Sequence, residues 1–212
     1  MTTHFLYLFD PLCGWCYGAS AGIATLAAKP GVIVEPVPSG LFAGDGARQL
    51  GSDMVAHIKA NDRQIAVRTG AVFGDAYQDH VVGSDGVRLD SGLATLALSA
   101  VAATAPAGEL AALAAIQRAR YVDGRAITDI AVLREVLTEA GFAAAADLLV
   151  ESAPALHEAN RQRLSRARAL MQRFAISGVP ALLRDDGKGP VPVDAAPLYA
   201  DPRALLAVPG VA

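Results

Sequence analysis

The chain has 212 residues, 53% of them hydrophobic, and a formal net charge of −3. This length suits one domain, or one core with a large insertion, and it can bury that core without disulfide staples. The composition excludes wholesale disorder, the charge balance argues against a nucleic-acid surface, and no apolar run reaches the length of a membrane span.

The N-terminal Met-Thr-Thr-His carries no basic region, and the apolar run after it is too short for a secretory signal, so a cytoplasmic location is expected. Residues 5–9 are apolar and end at Asp10-Pro11, which reads as a buried strand. Residues 13–28 have a helical pattern that Lys29-Pro30-Gly31 stops. Gly14, Gly18 and Gly22 recur on one face of that helix. Either a neighbouring element approaches closely there, or the stripe is chance in a chain with 20 glycines. Residues 32–37 are β-branched and predict a second strand, giving a right-handed βαβ unit.

The middle of the chain reads as helices. Ser91 can cap a helix with Leu93, Leu96, Ala97, Ala100 and Val101 inward. Pro106 suits a first turn, with Leu110, Leu113 and Ala114 following. Thr128 or Asp129 can cap another helix, with Leu133, Val136, Leu137 and Ala140 inward and Gly141 as its stop. Over residues 154–175, Leu164, Ala167, Leu170, Met171 and Phe174 form one face. Arg161, Arg163, Arg166, Arg168 and Arg173 lie mostly on the other, which reads as a solvated face rather than an anion patch. Residues 181–184 read as a strand, 185–189 as a turn, 191–193 as a weak strand and 203–207 as a last short helix. Pro190 and Pro192 remove ladder donors, so that last strand is expected to be an edge or else not a strand. Strands at both ends with helices between predict one α/β domain interrupted by a helical insertion.

The chemistry is expected at Cys13-Gly14-Trp15-Cys16, which holds the chain's only two cysteines. Residues i and i+3 lie about one helical turn apart, so their sulfurs can reach disulfide distance. A helix N-terminus offers free N–H groups that stabilise a thiolate at Cys13. In a reducing compartment such a pair would cycle rather than serve as a staple. Two cysteines need two more ligands to hold zinc, and His4, His57, His80 and His157 show no metal-ligand spacing.

Asp10-Pro11-Leu12-Cys13-Gly14-Trp15-Cys16-Tyr17-Gly18 resembles the D-P-x-C-x-W-C-x-G signature of bacterial protein-disulfide isomerases in the DsbA-like branch of the thioredoxin fold. Thr69-Gly70, Phe73-Gly74 and Tyr77, the stretch Ala119-Arg120-Tyr121-Val122-Asp123-Gly124-Arg125, Ile127-Thr128-Asp129 and Gly178-Val179-Pro180 are similar to further segments of that group. The resemblance implies a thioredoxin fold interrupted by a large all-helical insertion. Residues 1–40 and 160–212 would form the thioredoxin-like domain and residues 41–159 the insertion. It also implies a thiol–disulfide oxidoreductase or isomerase, with Cys13 attacking and Cys16 resolving. Val179-Pro180 resembles the cis-proline bond that presents backbone to an extended substrate.

Cys13 is expected to be the exposed thiol. The neutral Gly14-Trp15 pair leaves its stabilisation to the helix end alone, so a modest lowering of its pKa is expected, suiting a reductase or isomerase. Trp15 would offer substrate an apolar contact. Tyr17, Phe73 and Tyr77 would pack internally. Asp10 would shape the turn, or accept a proton from Cys16. The dithiol needs no cofactor, and glutathione is a candidate reductant. The partners expected are a disulfide-bearing protein or small thiol and a thiol reductant, with no nucleic acid or membrane. Oligomeric state is left open. Two other readings stand beside this one. One is a glutathione-dependent enzyme resembling kappa-class transferases or 2-hydroxychromene-2-carboxylate isomerases, which typically carry serine at the Cys13 position. The other is a redox-inert peptide-binding adaptor.

Overall fold

The computed structural model describes residues 2–83 and 86–207. It opens with β1 (Thr3–Phe9), α1 (Gly14–Gly18), α2 (Ser20–Ala27) and β2 (Val32–Pro38). β1 and β2 pair in parallel from Thr3↔Val32 to Phe9↔Pro38. The helix expected over residues 13–28 is interrupted at Ala19, between Gly18 and Ser20, where such small residues let a helix kink.

The middle segment contains β3 (Arg48–Gln49), α3 (Ser52–Thr69), α4 (Asp75–Tyr77), a wide turn at Gln78–Val82, β4 (Arg88–Leu89), α5 (Gly92–Thr104), α6 (Glu109–Tyr121), α7 (Ile130–Glu139) and α8 (Ala143–Glu151). It is helical apart from the two-residue antiparallel ladder of β3 with β4. Pro106 opens a short turn leading into α6. Asp129 caps α7 by accepting from the Ala131 N–H at 2.8 Å. The chain returns through α9 (Pro154–Arg173), β5 (Ala181–Asp185), β6 (Val191–Val193), a turn at Ala196–Tyr199 and α10 (Ala204–Ala207).

The main sheet has the order β2-β1-β5-β6, so β6, which contains Pro192, is a strand and lies at an edge. β1 is central, and its side chains alternate. Phe5, Tyr7 and Phe9 face the large core shared with α1, α2 and the helices α5–α8. Leu6 and Leu8 face a smaller core with Val37, Leu183 and the α9 residues Ala167, Leu170, Met171 and Phe174.

The arginine row of α9 is exposed at Arg161, Arg166, Arg168 and Arg173, the solvated face expected for it, and only Arg163 turns inward. Arg163 pairs with the buried Glu109, and Arg166 pairs with Glu35 on β2. A long guanidinium stem can lie along apolar surface and still reach a carboxylate inward of it. None of the described helices is long and apolar enough to cross a membrane.

Candidate active site

β1 delivers the chain into the turn at Asp10, and α1 begins one residue after Cys13. Asp10 is fully buried. Its Oδ1 accepts from the Leu12 N–H at 2.9 Å, which closes the turn. Its Oδ2 accepts from the Phe42 N–H at 3.1 Å and from the Ser91 hydroxyl at 2.7 Å. The turn role read for Asp10 therefore extends to anchoring the start of the inserted segment and α5. Ser91 stands at the N-cap of α5 but makes no side-chain cap, because its hydroxyl is committed to Asp10. Burial pushes the Asp10 carboxyl up, and these three donors hold it back.

Tyrosine hydroxyls brace the dithiol loop by donating to its carbonyls. Tyr121 binds the Leu12 carbonyl at 2.8 Å, Tyr199 the Trp15 carbonyl at 3.3 Å and Tyr7 the Cys16 carbonyl at 3.3 Å. The glycine stripe explains how α3 comes so close. A Cβ at Gly18 would lie 2.5 Å from Ile65 Cγ2, and one at Gly14 would lie 3.1 Å from Ile65 Cδ1. Gly22 meets a different element, with the Leu198 carbonyl oxygen 2.2 Å from its missing Cβ.

Cys13 and Cys16 are both free thiols. Cys13 is only 7% exposed, against the expectation of an exposed sulfur. Its thiol donates to the Val179 carbonyl at 3.4 Å, and the residue also lines a cavity of about 290 Å³. A small molecule bound in that cavity would lie against Cys13. The Val179–Pro180 bond is cis. Trp15 lines the cavity, and its ring meets Tyr199 edge to face at 5.5 Å. Tyr17 packs inward on Tyr121, with ring centroids 4.6 Å apart.

The two thiols titrate in opposite directions. The Cys16 thiol lowers the Cys13 pKa most, followed by the N–H groups of Cys16 and Trp15, which face the sulfur without closing a formal cap hydrogen bond. Burial opposes them. The helix end thus contributes, but it does not act alone as the sequence suggested. Cys16 is completely buried, and burial first, then the Cys13 thiol, pushes it well above the usual thiol range. A thiol whose pKa is lowered, lining a cavity beside a fully buried partner whose pKa is raised, is the asymmetry that thiol–disulfide exchange uses.

The DSBA-like thioredoxin domain matches residues 7–200. The chain belongs to that family. The DSBA-like assignment makes it an enzyme of the thiol–disulfide oxidoreductase class. The cytosolic disulfide reductase DsbM from Pseudomonas aeruginosa is similar to it at 30% identity, over 96% of this chain and 97% of that one, with a TM-score of 0.84. A second structure of that reductase, with GSH, gives 31% identity, the same coverage and a TM-score of 0.83. A 2-hydroxychromene-2-carboxylate isomerase is 16% identical over 96% of this chain and 95% of that one, with a TM-score of 0.62, a likeness of fold alone. No curated protein matches the chain in sequence.

Within this DSBA-like frame, the structure gathers Cys13, Trp15, Cys16 and Val179 around one sulfur and sets Asp10 behind the loop. It also adds residues the sequence reading did not assign to the site. Asp62, His57, Arg48 and Arg120 line the cavity with Cys13. The sequence signal for Asp62 was its spacing. Met54, Ile58, Asp62, Ile65 and Thr69 follow one another by three or four residues, as a single helical face does.

Proposed function

We propose that this chain is a cytoplasmic disulfide reductase or isomerase that works through the Cys13–Cys16 dithiol. The observation that carries the reading is the division of labour between the thiols, with the low-pKa sulfur at a cavity and the high-pKa sulfur buried behind it. The Cys13 thiolate attacks a substrate disulfide and forms a mixed disulfide. Cys16 then attacks Cys13, frees the second substrate thiol and leaves the Cys13–Cys16 disulfide. The contact of the Val179 carbonyl with the Cys13 sulfur at 3.4 Å supports Val179 as the backbone against which substrate lies. Two electrons pass to substrate in each cycle, and a thiol must restore the dithiol. Glutathione is the proposed reductant, supported by the similar reductase whose structure holds GSH.

Insulin reduction with glutathione as electron donor tests this reading. Wild-type protein should turn over, Cys13→Ser should be inactive, and Cys16→Ser should accumulate a mixed disulfide. Full activity in Cys13→Ser would overturn the reading. The fold likeness to the isomerase and the small cavity beside Cys13 favour, as a second reading, a glutathione-dependent transferase or isomerase. Glutathione conjugation without disulfide turnover would establish that one, and peptide binding without either activity would establish the adaptor.

A further inference from the structure

The cavity beside Cys13 contains an ionisable group that the dithiol reaction leaves unused. Asp62 is 4% exposed and sits on the face of α3 that packs against α1. Its Oδ2 accepts from the Tyr77 hydroxyl at 3.1 Å. Its Oδ1 stands 3.2 Å from the point where a Cβ on Gly14 would be, beside the residue that follows the reactive cysteine. Asp62, Cys13, Gly14 and Trp15 all line the cavity, whereas Val179 and Pro180 lie outside it. A disulfide that enters this cavity to react at Cys13 therefore has its departing sulfur among the lining groups, of which Asp62 is the carboxyl.

We propose that Asp62 is the general acid of disulfide reduction, protonating the sulfur that leaves the substrate. This rests on the dithiol function proposed above. As the Cys13–sulfur bond forms, the substrate S–S bond breaks and its electron pair goes to the departing sulfur. That sulfur takes the Asp62 proton and leaves as a neutral thiol, and Asp62 becomes a carboxylate. Cys16 then attacks Cys13, its own proton goes to the second thiol, and water reprotonates Asp62.

The surroundings fit an acid that works near neutral pH. Burial raises the Asp62 pKa from 3.8 to about 6, while hydrogen bonds from Tyr77 and Gln78 and the charges of Arg120 and Arg63 hold it down. Arg48 and His57 share the cavity, and Tyr121 and Cys13 close it from α6 and the dithiol loop. With a pKa of about 6, about half of the Asp62 carboxyls carry a proton at pH 6 and about a tenth at pH 7, and each can release it to an alkyl thiolate.

The leaving group decides the test. An alkyl thiolate leaves poorly and gains from a proton, whereas a pyridyl thiolate leaves readily without one. Pre-reduced wild-type and Asp62→Asn proteins are mixed in single turnovers with hydroxyethyl disulfide and with dipyridyl disulfide. The alkyl-to-pyridyl rate ratio should fall about 100-fold in the variant, the lower range of general-acid effects. In wild type the ratio should fall as pH rises through about 6, and in the variant it should be flat. Cys13 ionisation affects both rates alike and cancels from the ratio. An unchanged ratio overturns the proposal, whether both rates drop together or neither does. If wild-type protein reduces neither disulfide, the dithiol function itself is overturned, and this inference with it.

Discussion

Cys13 and Cys16 are chemically identical and three residues apart, yet their surroundings split them into a nucleophile and a reserve. The largest influence lowering the Cys13 pKa is the Cys16 thiol, ahead of the backbone N–H groups. Replacing Cys16 with alanine should therefore raise the pH midpoint at which iodoacetamide alkylates Cys13. A midpoint that stays put would leave the helix end as the dominant cause. Asp62 permits a second test, this time of stability. Its carboxyl titrates near 3.8 in the unfolded chain and near 6 in the folded one. Between those values the folded state holds the proton that the unfolded state has released, so wild-type stability falls as pH rises and then levels above about 6. Asp62→Asn removes this linkage while keeping an acceptor for Tyr77. The variant's Tm should exceed that of wild type by a margin that grows by a few degrees from about pH 4 to 6 and then stays constant. A pH-independent margin would mean that Asp62 titrates normally.

At the scale of elements, the glycine stripe and helix α3 depend on one another. The absence of side chains at Gly14 and Gly18 lets Ile65 and Asp62 reach the dithiol loop, and Gly22 gives room to the Leu198 carbonyl. Alanine favours a helix over glycine by about 1 kcal/mol, but overpacking a tight contact costs about 1–3 kcal/mol. Backbone yields least, so Gly22→Ala should be net destabilising by about 1–2 kcal/mol in urea unfolding. A stabilised variant would show that the α2 contact relaxes freely. The β1–α1–β2 unit, the dithiol and Val179-Pro180 were legible because each carries local punctuation: a short apolar run, a C-x-x-C spacing, a Gly-Val-Pro. α3 was not legible, since its fully buried positions are Ile65 and the acidic Asp62. A helix that turns a carboxyl toward a reactive site breaks the apolar stripe by which helices are read. α8 was missed for another reason: its alanine-rich start, Ala143 to Ala146, gives no contrast between faces.

For the whole molecule, the question is what holds the inserted segment to the sheet that presents the cysteines. Apolar packing does most of this, because Phe5, Tyr7 and Phe9 share one core with α5 to α8. A polar tie also crosses the junction. Arg163 of α9 pairs with Glu109 of α6, reaches Ser99 of α5 at 3.2 Å and the Pro36 carbonyl of β2 at 3.5 Å. The Glu109 side chain is 5% exposed, and burial raises its pKa while Arg163 holds it down. Removing the cation would strand a carboxylate that has already lost its water, and breaking a buried pair from one side costs about 3 kcal/mol. Arg163→Met should therefore lower the unfolding free energy measured in urea by that amount at neutral pH. The loss should shrink as pH falls toward the ordinary carboxylate range, since a protonated Glu109 no longer needs a partner. Adding Glu109→Gln to Arg163→Met should recover most of the stability, because it removes the stranded charge along with the pair. If the double variant is no better than the single one, the arginine acts through its packed stem rather than its charge. The junction would then be held by apolar contact alone.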